Sequence, residues 1–542
     1  MASTAYPDRP ASEGKTFLGH PRGLYVLFFA EMWERFSYYG MRALLIFYLT
    51  KHLLFGDDKA YLIYGAYTSL VYITPVIGGY LADKFLGHRK AVLVGGIFIA
   101  LGHLTMSILE GPQGQDSFYL GGFYLGLAAI IVGTGFLKAN ISVLVGQLYP
   151  RDDMRRDPAF TIFYMGINLG GMLGPLICGY LGETYGWSYG FGAAAVGMLA
   201  GLIVFVWFKP LLLGRGEAPD PVRLRQPVLA GLSRELLIYL GAVAGILVVW
   251  VLIQNQEVVG GTLLVFGILT VAYILWRSVF TLDRTDRDRI FAALFLIALQ
   301  PLFWALFEQA GSSLSIFTDR NVDRNIGGWE VPASMFQSVN SAFIILLAPL
   351  FAWLWTTLGR RGLEPSAPAK FGLSLMQLGA GFLVLVAGAA AAGEAATPVI
   401  FIFLIYMLHT MAELCLSPVG LSAMARLAVP SMLGLIMGTW FLATAAGNFI
   451  AGLIARATGG GEGAAETASA GQVMDVYTTI GWISIGVGVV VIVISPLVKR
   501  LMHLDTLRDK RDEELAGYKE MGEREAAGMF PDRETKPENK PL

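Results

Sequence analysis

Long apolar segments, separated by short polar connections, recur along almost the whole chain. None of them shows the strict alternation of apolar and polar positions that is typical of a membrane-spanning β-strand. A helical span needs about 20 mostly apolar residues, and a helix satisfies its own backbone hydrogen bonds in lipid. The pattern therefore predicts an all-α polytopic membrane protein. About 14 transmembrane helices are predicted, with approximate limits 24–51, 61–83, 91–109, 118–148, 159–182, 189–208, 233–253, 261–280, 288–318, 333–358, 370–392, 397–425, 432–455 and 475–503.

The predicted helices fall into groups of six, two and six. The stretch 209–232 is rich in Pro, Gly and Arg and is interpreted as a linker, and the two helices after it contain almost no ionisable side chain in their apolar parts. Helices of that kind are expected to face lipid. The predicted units are an N-terminal tail 1–23, an N-terminal six-helix bundle 24–208, linkers with two inserted helices 209–287, a C-terminal six-helix bundle 288–504 and a C-terminal tail 505–542.

Basic residues are concentrated in alternate connections between the predicted helices. One set of connections holds about 19 Lys and Arg residues and the other set about five. Loops rich in Lys and Arg stay in the cytoplasm, so the first set is predicted to be cytoplasmic. An even number of helices then places both termini in the cytoplasm as well. The polar start, MASTAYPDRP, lacks the pattern of a cleavable signal peptide. We therefore predict a multi-pass protein of the cytoplasmic (inner) membrane.

The composition agrees with this interpretation. The chain has 542 residues, of which 55% are hydrophobic and 15% charged, whereas soluble proteins carry about 25% charged residues. Its mean hydropathy is +0.58. A net charge of −1 gives no reason to expect a nucleic-acid partner. The two cysteines, Cys178 and Cys415, lie in apolar segments and do not indicate a disulfide framework. No sequence cluster indicates a metal site or a cofactor.

The first predicted helix contains charges that are expensive in a membrane. In its sequence EMWERFSYYGMRALL, Glu31, Glu34, Arg35, Tyr38 and Arg42 recur at helical spacing. An ionisable side chain near the bilayer centre costs several kcal/mol, and such residues usually face a bundle interior or a water-filled cavity. One polar stripe on this helix therefore predicts a transport pathway.

Other predicted helices contain the ionisable residues Lys138, Glu308, His409 and Glu413. Acidic and basic groups are nearly balanced over all of these helices, which predicts mutual pairing with one carboxylate left to hold a proton. The alternative is that the charges only join helices, although buried ion pairs are weak stabilisers. For His409 and for His103 a structural role in the core is favoured.

Aromatic residues follow the same helices. Tyr38, Tyr39, Tyr72, Tyr164, Trp304 and Trp440 could form the wall of a cavity that accepts varied side chains. Trp187 and Trp329 lie near helix ends, where an interfacial role is favoured. The connection GGYLADKFLGHRK is interpreted either as a charged latch on neighbouring helices or as a plain basic anchor.

Several of these segments resemble known signatures. GGYLADKFLGHRK resembles the loop signature of the major facilitator superfamily. EMWERFSYYGMR resembles the ExxERFxYYG signature of the proton-dependent oligopeptide transporters (the POT/PTR family), and FTIFYMGINLGG resembles their second signature. GTGFLKANIS, FWALFEQAGSSL and AELCLSPVGLS resemble further family blocks. The chain is thus similar to the bacterial branch of that family. The resemblance implies a major facilitator fold, two six-helix bundles plus two extra helices.

The resemblance also implies roles for particular residues. Arg42 and Lys138 would attract the C-terminal carboxylate of a peptide, and Glu413 would hold its amino terminus. Arg42 with Glu308 would form an outer gate, and Lys138 with Glu413 an inner gate. Glu31, Glu34, Arg35 and Glu308 would couple proton movement to transport. The remaining substrate-binding residues implied are Asn168 and Asn340 for the peptide backbone, Tyr38, Tyr39, Tyr72, Tyr164, Trp304 and Trp440 for side-chain pockets, and Ser417.

Three positions depart from the family pattern. Ala139 and Ser341 stand where Pro is common, and Ala412 stands where Gly is common. All three shape the backbone, so they bear on gating more than on chemistry. The second predicted helix, 61–83, contains no histidine of the kind that animal members use, so proton handling is expected to depend on carboxylates.

The function predicted from the residues and the resemblance is import of di- and tripeptides in symport with protons, by alternating access. The proton gradient would supply the energy, with no cofactor, and the protein would be a monomer in the lipid bilayer. One alternative keeps the fold and changes the cargo to nitrate, drugs or other organic anions. The least favoured hypothesis is that the protein is a membrane-embedded enzyme or a receptor.

Overall fold

The computed structural model describes residues 16–150, 153–229, 231–429, 431–459 and 469–504. The predicted C-terminal tail 505–542 and most of the N-terminal tail lie outside the described residues. Long helices dominate the rest. They are α1 Arg22–Phe47, α2 Asp57–Leu86, α3 His88–Ile108, α4 Ser117–Gln147, α5 Arg156–Tyr185, α6 Trp187–Trp207, α7 Arg234–Gln254, α8 Gln256–Thr281, α9 Arg284–Asn321, α10 Ala333–Arg360, α11 Ala367–Ala392, α12 Ile400–Leu427, α13 Leu433–Ala457 and α14 Ala470–Leu501.

Within the described residues, 13 of these helices are long and apolar enough to cross a membrane. Helix α1 is of similar length, but its charges remove it from that class because at least three of them fall in any stretch of 18 residues. The prediction of an all-α protein with about 14 transmembrane helices is therefore confirmed. Charged residues in a membrane helix almost always face the interior of a bundle or a water-filled cavity, and most residues of α1 are buried.

The remaining elements are short. A single turn of helix, Pro221–Arg225, lies in the linker before α7. Two-stranded ladders occur at helix ends, pairing Thr16–Phe17 with His20–Pro21, Pro227–Leu229 with Leu232–Ser233, Val322–Asp323 with Thr397–Pro398, and Asn325–Ile326 with Trp329–Glu330.

The helices pack as two bundles. Helices α1 to α6 pack on one another in the first bundle, where α3 lies on α4 and α6 and α1 lies on α5 and α6. Helices α9 to α14 form the second bundle, where α11 packs on α12 and α14. The bundles meet along two lines, α2 against α13 and α5 against α10. The space enclosed between these two lines is the site of the cavity described below.

Helices α7 and α8 lie outside both bundles. Helix α7 packs on α4, where the Trp250 indole N–H donates a hydrogen bond to the Gly121 carbonyl at 3.0 Å, and α8 packs on α13. Most of their surface is exposed apolar side chain, for example Leu264, Phe266 and Ile268. In a bilayer this surface would contact lipid, as predicted for the two inserted helices.

Helix α9 is interrupted in the middle of its length. Its regular part ends at Phe307, and Glu308–Gly311 forms a single 3-10 turn before the helix resumes at Ser313. Gly311 permits close packing here, because a Cβ at this position would lie 1.7 Å from the Tyr64 hydroxyl of α2. The interruption places Glu308 at the interface between the two bundles.

Candidate functional site

A cavity of about 640 Å³ lies between the two bundles. This volume is in the range of small-molecule sites. Its walls come from both bundles, and both contribute charged residues. The lining residues among those predicted for the site are Glu31, Arg35, Tyr39, Arg42, Tyr72, Lys138 and Tyr164 from the first bundle, and Trp304, Glu308, Asn340 and Glu413 from the second.

One end of the cavity is shut by ion pairs that join the two bundles, and we call it the closed end. Arg320 of α9 makes a bidentate pair with Asp57 of α2, with N–O distances of 2.6 and 2.9 Å. Lys51 Nζ lies 2.8 Å from Asp319 Oδ1. Arg456 Nε of α13 lies 3.4 Å from Asp58 Oδ2. Each pair crosses from the first bundle to the second, so these charges hold the closed end together.

Small residues allow the bundles to approach closely at this end. A Cβ on Gly65 of α2 would lie 3.2 Å from the Cα of Gly452 on α13, and a Cβ on Gly452 would lie 2.7 Å from the Tyr61 carbonyl oxygen. Between the same helices, the Ser69 hydroxyl donates to the Ala445 carbonyl at 2.9 Å. Close approach of this kind is typical of small residues at membrane-helix interfaces.

The opposite end of the cavity is open, and we call it the open end. Val76, Tyr164, Leu421 and Phe441 line the cavity and remain 53%, 43%, 42% and 39% exposed. No ion pair between described residues joins the two bundles at this end. The charges here pair locally instead: Arg89 with Glu217 of the linker, Lys90 with Glu235 of α7, and Lys370 with Glu364. The basic connection between α2 and α3 lies at this end.

Arg42 and Glu308, predicted as a gate pair, are in contact. Arg42 Nη2 lies 2.9 Å from Glu308 Oε2, and its Nε donates to the Tyr64 hydroxyl at 2.7 Å. Its guanidinium also lies 5.6 Å from the centre of the Tyr39 ring. Arg42 is 7% exposed and Glu308 2%, so this pair is buried between the bundles on the cavity wall.

Lys138 and Glu413, predicted as the second gate pair, do not pair in this structure. Lys138 Nζ lies 3.8 Å from the centre of the Tyr72 ring, and it makes no ion pair with any described residue. Glu413 Oε2 accepts a hydrogen bond from Asn340 Nδ2 at 3.1 Å, and Asn340 also donates to the Thr410 hydroxyl. The two charges lie on opposite walls at the open end, so the predicted inner-gate pair is not formed in this conformation, and its role as a gate stays a prediction.

The charged stripe of α1 forms a compact cluster beside the cavity. Arg35 Nε lies 3.1 Å from Glu31 Oε1 and also meets a carboxylate oxygen of Glu34. The guanidinium lies 5.3 Å from the centre of the Tyr38 ring. All three charged groups are at most 3% exposed. Because one arginine serves two carboxylates, the cluster has one acidic group more than it has bases.

Four of the predicted substrate-binding residues lie behind the cavity wall in this structure. Tyr38 is 2% exposed and its ring stacks near Tyr67. Asn168 donates to the Tyr164 carbonyl one turn earlier in α5. Trp440 is 5% exposed because it packs against Gly420 and Phe371 inside the second bundle. The fourth is Ser417, whose hydroxyl has no partner among the described residues.

His409 and His103 were predicted to have a structural role in the core. His409 is 2% exposed and its Nε2 lies 3.2 Å from the Leu378 carbonyl, although its ring also borders the cavity. His103 is fully buried, and neither of its ring nitrogens has a hydrogen-bond partner among the described residues. Both positions fit a structural role. The described residues contain no group of His, Cys, Asp and Glu that could hold a metal ion.

Sequence reasoning missed Tyr64 and Tyr406. Tyr64 is the second partner of Arg42, and Tyr406 lines the cavity with its hydroxyl 3.4 Å from the Ala310 carbonyl. A signal for Tyr64 was present, since Tyr61, Tyr64 and Tyr67 recur every three residues in α2 and are all buried. Apolar lining from Phe307 and Phe441 had no comparable signal, because a cavity side chain and a core side chain look alike in sequence.

Two bundles around a central cavity that is shut at one end define a membrane transporter. The model of the POT family matches residues 89–470. An uncharacterised transporter of Bacillus subtilis (strain 168), YclF, is 40% identical over 90% of this chain and 96% of the relative. Dipeptide and tripeptide permease B of Salmonella typhimurium is 31% identical over 90% of this chain and 97% of the relative.

Solved structures agree. A crystal structure of a mutant peptide transporter POT in complex with alafosfalin superposes with a TM-score of 0.78, at 35% identity, over 91% of this chain and 98% of that chain. The chain belongs to the POT family, so the predicted family and the major facilitator fold are confirmed.

Proposed function

We propose that this protein imports di- and tripeptides across the cytoplasmic membrane in symport with protons, by alternating access. The observation that carries the proposal is the charge arrangement of the cavity. Lys138 and Arg42 lie on the wall of the first bundle, and Glu413 lies on the wall of the second, held by Asn340. A zwitterionic peptide has a carboxylate and an ammonium group at a fixed backbone separation. A site with cations on one wall and an anion on the other matches that pattern.

The surroundings of these charges support a peptide with variable side chains. Tyr39, Tyr72, Tyr164 and Trp304 border the cavity together with Phe307. Aromatic rings bind apolar groups of different shapes and keep a polar edge for hydrogen bonds. Such a wall would favour the peptide backbone through its charges and discriminate little between side chains. The names of the permease and the peptide transporter described above point to the same class of substrate.

The structure corresponds to the inward-facing state in this proposal. The open end contains most of the basic connections, which the distribution of Lys and Arg places in the cytoplasm. Arg42 with Glu308 then forms part of the outer gate, which is shut here. Lys138 and Glu413 would approach each other in the outward-facing state and shut the cytoplasmic end. Transport requires that peptide and proton bind the two states with different affinity.

Glu308 is the carboxylate best placed to couple proton and gate. It holds Arg42 across the bundle interface at 2.9 Å, so a proton on Glu308 would remove the negative charge that keeps the outer gate shut. In α1 of the first bundle, Glu31 and Glu34 share the single cation Arg35. One carboxylate of this cluster is therefore available for a second proton. The proton gradient is the only energy source needed. In the same proposal, the protein carries out transport without covalent chemistry. It is a monomer, and both of its termini lie in the cytoplasm.

The experiment is uptake of labelled dialanine into proteoliposomes with an inward proton gradient. We expect accumulation with the gradient, counterflow without it, and inhibition of both by unlabelled dipeptide. No stimulation by the gradient would contradict proton symport. Competition by nitrate but not by dipeptide would contradict the substrate and favour the organic-anion alternative.

A further inference from the structure

A second cavity, of about 540 Å³, opens at the same end of the molecule as the first. It lies between the C-terminal end of α4, the start of α5 and the linker before α7. Ser142 lines both cavities, so the second adjoins the mouth of the first. The described residues that line the second cavity include two arginines, Arg156 and Arg215, and no acidic residue.

The two arginines differ from their neighbours in having no acidic partner among the described residues. Neither Arg156 nor Arg215 makes an ion pair with a described residue, and the Arg156 Nε is buried without a hydrogen-bond acceptor in that part of the chain. Arg155, adjacent in sequence, pairs with Asp153 at 2.7 Å and donates to the Gly19 carbonyl. The Arg155 guanidinium holds the pKa of Asp153 below its usual value. Both residues of this pair are therefore charged, and the pair has no net charge. No described acidic residue compensates the charges of Arg156 and Arg215 in this way.

Both arginines are positioned by packing. Arg156 Nη2 lies 3.3 Å from the position that a Cβ on Gly146 of α4 would occupy, so its guanidinium rests on the glycine. Arg215 stands between two glycines with positive φ, Gly214 at 74° and Gly216 at 76°. A side chain at either glycine would be strained in that backbone conformation. The backbone on both sides of Arg215 therefore depends on glycine.

The linker that contains Arg215 is attached to the first bundle. The Arg89 N–H donates to the Gly216 carbonyl at 2.9 Å, and the Arg89 guanidinium pairs with Glu217. A Cβ on Gly216 would lie 2.2 Å from Leu144 Cδ2 of α4. These contacts hold the backbone at Arg215 beside the cavity. The arrangement is thus built by α3, α4 and the linker together, and it is more than a loose basic loop.

We propose that this cavity binds a phosphate group, held by Arg156 and Arg215. Two guanidinium groups that have no acidic partner in the described part of the chain match a doubly charged oxyanion, and arginine binds phosphate through two parallel hydrogen bonds. Tyr149 is less suited to contact the anion, because its hydroxyl is bonded to His20 Nδ1 at 2.8 Å. The phosphate could belong to a soluble phosphate compound or to an acidic phospholipid of the same leaflet. The proposal does not depend on peptide transport, although the cytoplasmic source of phosphate rests on the orientation proposed above.

The first experiment measures binding of inorganic phosphate to the full-length protein in detergent by calorimetry, at constant ionic strength. Arg156→Gln and Arg215→Gln should each weaken binding by about tenfold or more, since each removes one charged hydrogen-bonding group. Arg155→Gln is the matched control and should bind as wild type. Equal weakening in Arg155→Gln would overturn the proposal, because net charge alone would then explain the binding.

The second experiment tests the lipid as the source. The protein is reconstituted in nanodiscs of phosphatidylcholine, with or without phosphatidylglycerol, and its thermal unfolding is followed. A higher Tm with phosphatidylglycerol that is lost in both Arg156→Gln and Arg215→Gln, but kept in Arg155→Gln, supports a phospholipid head group. Phosphate binding in detergent without this lipid effect supports a soluble ligand. The proposal is overturned if neither probe distinguishes the variants from wild type. Dialanine counterflow confirms that each variant is folded. If the wild-type protein shows no dialanine counterflow, that result counts against the proposed peptide transport and leaves the phosphate proposal unaffected.

Discussion

The two ends of the main cavity use their charges in opposite ways. At the closed end, Asp57, Asp58 and Lys51 of the first bundle pair with Arg320, Arg456 and Asp319 of the second. At the open end, described charges pair within a bundle, with the linker or with an inserted helix, and Lys138 and Glu413 stay apart. The pairs that cross the bundle interface therefore define the conformational state of the protein. The number of charges at either end does not define it.

Packing differs between the ends in the same sense. Helix α13 contacts α2 through Gly452 at the closed end, with no room for a Cβ, whereas Gly434 and Gly438 near its open end have no neighbour within 4 Å of such an atom. A single rigid helix therefore meets the opposite bundle at one end and lines the cavity at the other. Bundles that rock about a central site require this asymmetry.

The largest effect is expected for Glu308→Gln. The substitution removes the carboxylate that holds Arg42, and the loss of one partner of a buried pair costs about 3 kcal/mol or more. Gradient-driven dialanine uptake should fall at least about tenfold, while counterflow should persist because the cavity remains. Uptake and counterflow in the same proteoliposomes check this.

Glu330→Gln is the control for that experiment, because Glu330 is exposed and pairs with Arg324 of its own bundle. Proton-driven accumulation that persists in Glu308→Gln would show that another carboxylate couples the proton. Glu31 and Glu34 would then be the next candidates.

The next effect in size is expected for Lys138→Gln. Lys138 is a cation on the cavity wall without an acidic partner among the described residues, so it is available for a peptide carboxylate. Its loss should raise the KM for dialanine by about tenfold, as expected for a charged hydrogen bond worth roughly 1.5–3 kcal/mol. Initial uptake rates at several dialanine concentrations provide the measurement.

Lys370→Gln is a matched control for this prediction. Like Lys138, Lys370 lies over an aromatic ring, with Nζ 4.3 Å from the centre of the Trp355 ring, but it pairs with Glu364 outside the cavity. An equal rise of KM in both variants would refute a specific role for Lys138 in binding.

A smaller effect is expected for Gly452→Ala. The added Cβ would lie 2.7 Å from the Tyr61 carbonyl, so the closed end must loosen by a small shift of α13. We expect the population to move toward the outward-facing state, with dialanine counterflow reduced several-fold. Spin labels at Lys59 and Ile326, exposed on opposite bundles at the closed end, should show a longer distance component.

Gly434→Ala places the same Cβ on the same helix where no neighbouring atom lies within 4 Å. The label distances in this control should match those of the parent protein. Identical distances in both variants would mean that packing of α13 on α2 does not set the state.

The smallest effect is expected for Asp57→Asn. The Asp57–Arg320 pair is bidentate but partly exposed, and such pairs contribute about 1 kcal/mol or less. The ratio of molecules with this end shut to molecules with it open should fall by a factor of about two to five, as measured with the same spin labels. Exchange of the two residues, Asp57→Arg with Arg320→Asp, should restore it. Failure of the exchange, or an equal effect of Glu330→Gln, would argue against a role for cross-bundle pairing.

Much of this architecture follows from local patterns. The long apolar segments predict the helices because a helix is the solution for an isolated chain in lipid. The stripe from Glu31 to Arg42 predicts a polar face shielded from lipid, and these charged residues are buried in the structure. Such features depend on periodicity and on the cost of charge in the membrane, both of which are local properties.

Other features depend on which helices meet and could not be predicted. From its position in the sequence, Trp440 was predicted to line the cavity. The packing of α12 on α13 instead buries its ring against Gly420. Tyr64 lies on α2 and Arg42 on α1, and only the packing of these two helices brings the Tyr64 hydroxyl within 2.7 Å of Arg42 Nε. The arginines of the second cavity come from α5 and from the linker, and only the attachment of the linker to α3 and α4 brings them to one place.

The sequence by itself therefore determined the helices, the family resemblance and the set of buried charges, since hydrophobicity and spacing act over a few residues. Only the tertiary structure decided how those charges are paired. Glu308 meets Arg42 while Lys138 and Glu413 remain separate, although both pairs were equally plausible from sequence. The physical reason is that a transporter has two packings of the same helices. Periodicity is identical in both, and the contacts between bundles distinguish them.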